Sequence, residues 1–315
     1  MNFSVFSVND KSSLSTLVVV VTHNRRDLLL RCVSSLQTEI GPLDKILVVV
    51  NGSDDGTVEA LDSVNQSYVL QENLGSSGGW QRGILEAFDG GFDFVWLMDD
   101  DGYPELGALK QLKQTLWGSD FVGVSSMIVD EECPSSLVFP MPVLNAKGLP
   151  NIFLHFKKTR KVCELKAQTA VNNGLYNFAF LFNGILFDCK KLKRAGRVDQ
   201  KFFIYGEEVD FFYRCRAIGP IVTDVNAKHF HPAIRDKPLG RDRLFYLLRN
   251  TIFVIIKHLD FKLLRIVLFL PYFFVRTVRR NGLLETFKYF CFVGKFSPYR
   301  AFYRGLRGSL GVVED

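Results

Sequence analysis

The sequence of 315 residues has no CxxC pair and no grouping of cysteine and histidine at zinc-ligand spacing. Its six cysteines, Cys32, Cys133, Cys163, Cys189, Cys215 and Cys291, are scattered. No structural zinc module or disulfide framework is indicated, and a reducing compartment is expected. Long hydrophobic runs are also missing. The longest, IVLFLPYFFV at 266–275, lies between Arg265 and Arg276 and contains Pro271, well short of the roughly 20 apolar residues that span a bilayer. The opening segment MNFSVFSVNDKSSLS is polar, with no basic stretch leading into an apolar one, so no secretory signal is expected. A P-loop, a kinase signature, a dinucleotide fingerprint and an internal repeat are absent too, which argues against phosphoryl transfer.

What is present is apolar composition sufficient for a large core, 47% of residues, and a lopsided charge. The net charge is +6, yet residues 228–307 alone carry 17 Lys and Arg against 4 Asp and Glu. The rest of the chain is therefore net acidic. From about Leu244 the composition turns aromatic, aliphatic and basic together, and a boundary near Gly240 divides the chain into 1–240 and 241–315.

TLVVVVTHN at 16–24 is a β-branched run ending in polar residues, as expected of a strand buried on both faces of a parallel sheet. RRDLLLRCVSSLQ then places Leu28, Leu29, Cys32, Val33 and Leu36 on a helical stripe. KILVVVNGSDDGT repeats the unit, with a helix to about Val64. YVLQENLGSSGGWQRGILEAF gives a third strand, a glycine-rich turn and a helix, and FDFVWLMDDDG a fourth strand, followed by a helix opened by Pro104. This alternation implies an α/β fold of right-handed βαβ units. No topology can be read between 121 and 150.

Ligands of such sheets bind beyond the carboxyl ends of the strands. All four strands end in polar or glycine-rich segments, THN, NGSDDGT, NLGSSGG and DDDG. Three successive carboxylates repel one another. They make either a solvated turn capping the next helix or a site for Mg²⁺ or Mn²⁺, which one or two carboxylates hold while the ion bridges substrate phosphates. In an extended segment Asp99 and Asp101 would share one target and Asp100 face elsewhere. Gly75, Gly78, Gly79 and Gly83 make either a tight turn or a close backbone approach to a sugar or phosphate, and Trp80 either offers a sugar its face or packs. Glu207, Glu208 and Asp210 open a helical segment, where acids favour the helix dipole.

VVVVTHNRRDLLLRCVSSL, ILVVVNGSDDGT, ENLGSSGGWQRG and WLMDDDG resemble, in order and spacing, the nucleotide-sugar half of the inverting family 2 glycosyltransferases, and GRVDQKFFIYGEEVDFFYRCRAIG at 196–219 is similar to their acceptor-side segment. The resemblance covers about 17–232. An NLGxxGG turn combined with DDD is most like the galactofuranosyltransferases. It implies a GT-A fold, with a mixed, mostly parallel sheet flanked by helices. It also implies a donor pocket of Thr22, His23 and Asn24, with Asn51 and Asp54 or Asp55 near the uracil and ribose; Asn73, Gly78, Gly79 and Trp80 against the sugar and diphosphate; and Asp100 among the donor contacts. Asp99 and Asp101 hold Mn²⁺ or Mg²⁺, completed by His231 or else His229. Glu208 matches the catalytic base, with Glu207 beside it and Asp210 the alternative.

The expected reaction is inverting transfer of galactofuranose from UDP-galactofuranose to a lipid-linked glycan acceptor in surface polysaccharide synthesis. The rivals are a dTDP-rhamnose-dependent rhamnosyltransferase and a non-catalytic sugar-nucleotide-binding protein of the same fold. In 241–315, cations interleaved with aromatics read as amphipathic helices at a membrane surface. Peripheral attachment to the inner face of the plasma membrane, on the cytoplasmic side, is expected. No nucleic-acid motif accompanies the charge, and no nucleic-acid partner is expected.

Overall fold

The four strand segments read from the sequence form adjacent parallel strands: β1 (Thr16–Thr22), β2 (Lys45–Asn51), β3 (Tyr68–Gln71) and β4 (Phe94–Asp99), in the order β3-β2-β1-β4. The computed structural model describes residues 14–154, 157–233 and 238–313. The opening segment read as lacking a secretory signal lies almost wholly outside them. Between the strands run α1 (Arg26–Glu39), α2 (Thr57–Ser63) and α3 (Gly75–Asp89). The uniform apolarity of β1 follows from its two faces. Leu17, Val19 and Val21 join a core with Trp80 and Ile84 of α3, whereas Val18 and Val20 join another with Leu29, Val33 and Leu36 of α1. Each such side chain contributes about 1.5–3 kcal/mol by leaving water.

Beyond β4 come β5 (Tyr103–Pro104), α4 (Ala108–Leu116), β6 (Gly123–Asp130), β7 (Ser136–Pro142), β8 (Lys158–Lys161) and α5 (Val162–Thr169). These are followed by β9 (Leu175–Tyr176), β10 (Asn183–Asp188), α6 (Cys189–Leu192), α7 (Glu207–Arg216) and β11 (Ile221–His231). The sheet continues β4-β10-β6-β11-β5. β10 runs antiparallel to both neighbours, while β6 and β11 are parallel, so the sheet is mixed and mostly parallel.

Two local expectations are corrected. Pro104 does not open a helix. It pairs with His229 in β5, and α4 begins at Ala108 behind Gly107. The glycine-rich turn is already helix from Gly75 onward.

Residues beyond 240 form α8 (Arg241–His258), α9 (Lys262–Asn281), α10 (Leu283–Phe290) and α11 (Pro298–Arg307). They enclose a core of their own that includes Phe245, Leu248, Ile252, Phe273 and Tyr289, and against it pack Phe203, Ile204 and Tyr205 of the preceding region. No described helix is long and apolar enough to cross a membrane.

Candidate active site

The site lies at the carboxyl edge of β1, β2 and β4, where register places Val21 beside Asp99. β4 ends at Asp99 and the chain turns at Asp100, so strict alternation does not extend through the triplet. Buried Asp100 accepts from Thr22 Oγ1 at 2.7 Å. The guanidinium of Arg25, a residue not singled out in the sequence, donates to Asp100 at 3.1 Å and to Asp101 at 2.8 Å. Burial and then the charges of Asp101 and Asp100 push the Asp99 carboxyl well above its ordinary range, and Glu208 stands near enough to add to that push.

Asp101 Oδ1 lies 3.2 Å from His231 Nε2 and is buried without a hydrogen-bond partner. The other ring nitrogen of His231, Nδ1, donates to the Pro232 carbonyl at 2.6 Å. With that tautomer two lone pairs face each other, an arrangement that calls for a proton or a cation between them. Burial works against protonating this imidazole, but Asp101 outweighs it and raises its pKa. Asp101, despite its burial, falls to about 2 beside His231 and Arg25. A metal-ligating histidine commonly donates its second N–H to a backbone carbonyl, as here. Among the described residues no three His, Cys, Asp or Glu side chains converge to hold a metal ion alone. The fit is therefore to an ion taking two protein donors, with phosphate oxygens completing its shell.

Glu207 and Glu208 open α7, with Glu208 close enough to Asp99 for their charges to interact. Glu207 is buried and accepts from Ser76 Oγ in the first turn of α3, joining α7 to α3. Glu208 accepts from the Leu181 backbone N–H, and its Oε1 is buried without a partner. Burial, then the charge of Glu207, pushes its pKa up to about 8. Asp210 is not arranged as a base. Arg214, Lys257 and His258 each donate to it at 2.8 Å, and these partners overcome burial to hold its pKa far below the usual carboxylate range.

At the ends of β1 and β2 His23 donates through Nδ1 to the Asn51 carbonyl at 2.9 Å. Asn24 accepts from the Asp54 backbone at 2.8 Å, and Asp55 accepts from the Arg26 backbone at 3.0 Å, so the loops after β1 and β2 meet at Asn24, Asp54 and Asp55, while Thr22 turns to Asp100. The structure gives structural work to five expected donor contacts. The side chain of Asn51 is consumed by Gln71, Leu74 and Gly75 at 2.7, 3.2 and 3.0 Å, and Asn73 accepts from the Gly75 backbone at 3.0 Å. Trp80, 2% exposed, is stacked on Phe182 with centroids 4.4 Å apart and belongs to the core. A Cβ on Gly79 would lie 2.4 Å from Val21, and one on Gly78 would lie 2.3 Å from the Leu74 side chain. Their smallness serves close helix packing.

Residues 17–137 match the family model described as Glycosyl transferase family 2. The chain is 32% identical over 235 residues to galactofuranosyltransferase GlfT1 of Mycolicibacterium smegmatis, covering 72% of this chain and 74% of that protein. It is 33% identical over 230 residues to GlfT1 of Mycobacterium tuberculosis, covering 71% and 72%. The chain belongs to glycosyl transferase family 2.

This glycosyltransferase shares its fold with solved structures at much lower identity. GalNAc-T7, crystallised with UDP, GalNAc and Mn²⁺, matches at TM-score 0.62 and 14% identity over 84% of this chain, which spans about half, 52%, of that one. The mannosyltransferase PcManGT from Pyrobaculum calidifontis, in complex with GDP-Man and Mn²⁺, matches at TM-score 0.50 and 15% identity, covering 87% and 73%. The fold is therefore the GT-A type expected.

Sequence reasoning missed Arg249 and Asn250 of the family 2 chain, both 0% exposed in α8. Asn250 Nδ2 donates to the carbonyls of Phe202, Ile204 and Tyr205 at 3.1, 2.8 and 2.8 Å. Arg249 donates to Asn250 Oδ1 at 2.7 Å and to the Lys201 and Phe202 carbonyls at 3.3 Å. A polar RN pair inside LFYLLRNTIFVII was the one visible signal.

Proposed function

We propose that this enzyme transfers galactofuranose from UDP-galactofuranose, with inversion at the anomeric carbon, to a lipid-linked glycan acceptor in surface polysaccharide assembly at the inner face of the plasma membrane. The observation that carries the choice of sugar is the 32% identity to a galactofuranosyltransferase over 72% of the chain. The reaction type draws support from Glu208, a carboxylate whose burial makes it a stronger base than an exposed one, near enough to Asp99 for their charges to interact.

In this reading the acceptor hydroxyl gives its proton to Glu208 as its oxygen bonds to the anomeric carbon, and the bond from that carbon to the diphosphate breaks on the opposite face. Glu207, tied to Ser76, keeps Glu208 basic by its charge. Thr22 and Arg25 fix Asp100, and with it the turn that carries Asp101. Asp101 and His231 would hold Mn²⁺ or Mg²⁺. Such an ion supplies Lewis-acid neutralisation of the departing diphosphate. His23, Asn24, Asp54 and Asp55 form the rim for the base and ribose. UDP release measured with UDP-galactofuranose and with dTDP-rhamnose, with and without Mn²⁺, tests the reading. It requires Mn²⁺-dependent turnover of the first donor in preference to the second.

A further inference from the structure

Building on the reading that the acceptor is carried by a membrane lipid, we infer that α9 and α10 lie flat on an anionic bilayer with their apolar face in the leaflet. Along α9, Leu263, Val267 and Val275 recur at multiples of four, beside a second row of Leu264, Leu268 and Tyr272, so both rows lie on one side of the helix. Leu263 is 76% and Val267 56% exposed. The opposite side, Ile266, Phe273 and Thr277, already meets the protein. α10 extends the surface with exposed Leu283, Leu284 and Phe287, the last in ring contact with Phe274 of α9 at 6.0 Å. At the other end exposed Phe261 meets Phe153 at 6.1 Å. The strip follows α9 for about 30 Å, larger than the scattered apolar residues of an ordinary surface.

The charge around this strip selects its occupant. α9 contains no Asp or Glu, and carries Lys262 at its start and Arg276, Arg279 and Arg280 near its end. The single acid of α10, Glu285, is held by Lys288 at 2.6 Å. A second copy on this face would press like charges together, whereas an anionic leaflet neutralises them. An apolar groove of about 320 Å³ between α8 and α9, lined by Leu247, Ile255 and Phe269, shares Leu268 and Tyr272 with the exposed face.

The test is co-sedimentation of the full chain with vesicles of phosphatidylcholine alone or mixed with phosphatidylglycerol, alongside sedimentation velocity and UDP release in solution. The wild type should prefer the anionic vesicles. The doubly substituted Val267→Glu, Leu284→Glu chain should lose about tenfold or more of that binding, while its UDP release stays that of wild type. Undiminished binding by the double variant overturns the inference. So does a wild-type dimer that this variant converts to monomer without vesicles being bound. Vesicle binding without UDP release from any sugar nucleotide, in the wild type, would overturn the galactofuranosyl reading and leave the membrane surface standing.

Discussion

Asn250 donates to the carbonyl of Tyr205 at 2.8 Å, from 45 residues downstream. Tyr205, like Phe203, has a positive φ, 62° against 65°, a conformation that non-glycine residues rarely hold without outside support. Two residues later comes Glu207 and then Glu208. α8 therefore holds the loop that leads into Glu207 and Glu208.

Replacing Asn250 with Ala removes three donated hydrogen bonds and leaves buried carbonyls unpaired, a loss of about 1–3 kcal/mol for each group so left. The expected outcome is a lower melting temperature together with a kcat reduced about tenfold or more and a donor KM nearly unchanged, because the nucleotide rim is built by other elements. Steady-state kinetics on the folded variant checks this. A change confined to KM would detach Asn250 from the acceptor loop.

Glu208 works as a base only when deprotonated, and its pKa is raised to about 8. Activity should therefore fall as pH drops below that value. This is several units higher than the acid limb of an exposed glutamate, near 4.3. The kcat/KM profile of the wild type measures it. Glu208→Gln should cut turnover about 10²-fold or more and retain donor binding by calorimetry.

Much of the donor half was legible because it depends on local pattern. β-branched runs specify β1 and β2, an apolar run specifies β4, and their polar ends mark the carboxyl edge of the sheet. The roles of Asn51 and Trp80 were not legible because neighbours distant in sequence decide them: Gln71 and the start of α3 bond the side chain of one, and Phe182 covers the other. The antiparallel insertion of β10, the pairing of Asp101 with His231 and the clamp from Asn250 all join segments separated by tens to more than a hundred residues. Periodicity carries no information about such contacts.

If Asp101 and His231 are the two protein donors to the ion, Asp101→Asn and His231→Ala should each weaken Mn²⁺-dependent donor binding about tenfold or more. Mn²⁺ titrations followed by UDP affinity read the effect directly. A variant of either residue with unaltered Mn²⁺ dependence would remove that residue from the site.

Gly75 has φ +71°, and a Cβ there would lie 2.0 Å from the Phe203 carbonyl oxygen. Gly75→Ala must push apart the donor helix and the acceptor loop, and overpacking of this kind costs about 1–3 kcal/mol. Loss of stability with a disproportionate loss of kcat is expected by thermal denaturation and kinetics. Gly83→Ala, directed at Val19 within the core, should lower stability alone.

Asp210 has a depressed pKa in the folded protein. Its contribution to stability is thus present above the unfolded value, about 3.9, and is lost as pH falls below it toward the folded value. Asp210→Asn leaves Arg214 and Lys257 without their carboxylate and should destabilise the chain by roughly 2–4 kcal/mol at neutral pH. The gap between variant and wild type should narrow on acidification, as denaturant unfolding at several pH values would record.

The most direct measurement is the anomeric configuration and rate of product formed from UDP-galactofuranose with Mn²⁺, for wild type and Glu208→Gln side by side. Inverted product from the wild type and a rate lowered about 10²-fold in the variant are expected. Retained configuration, or a variant turning over near the wild-type rate, would contradict Glu208 as the base opposite the departing diphosphate.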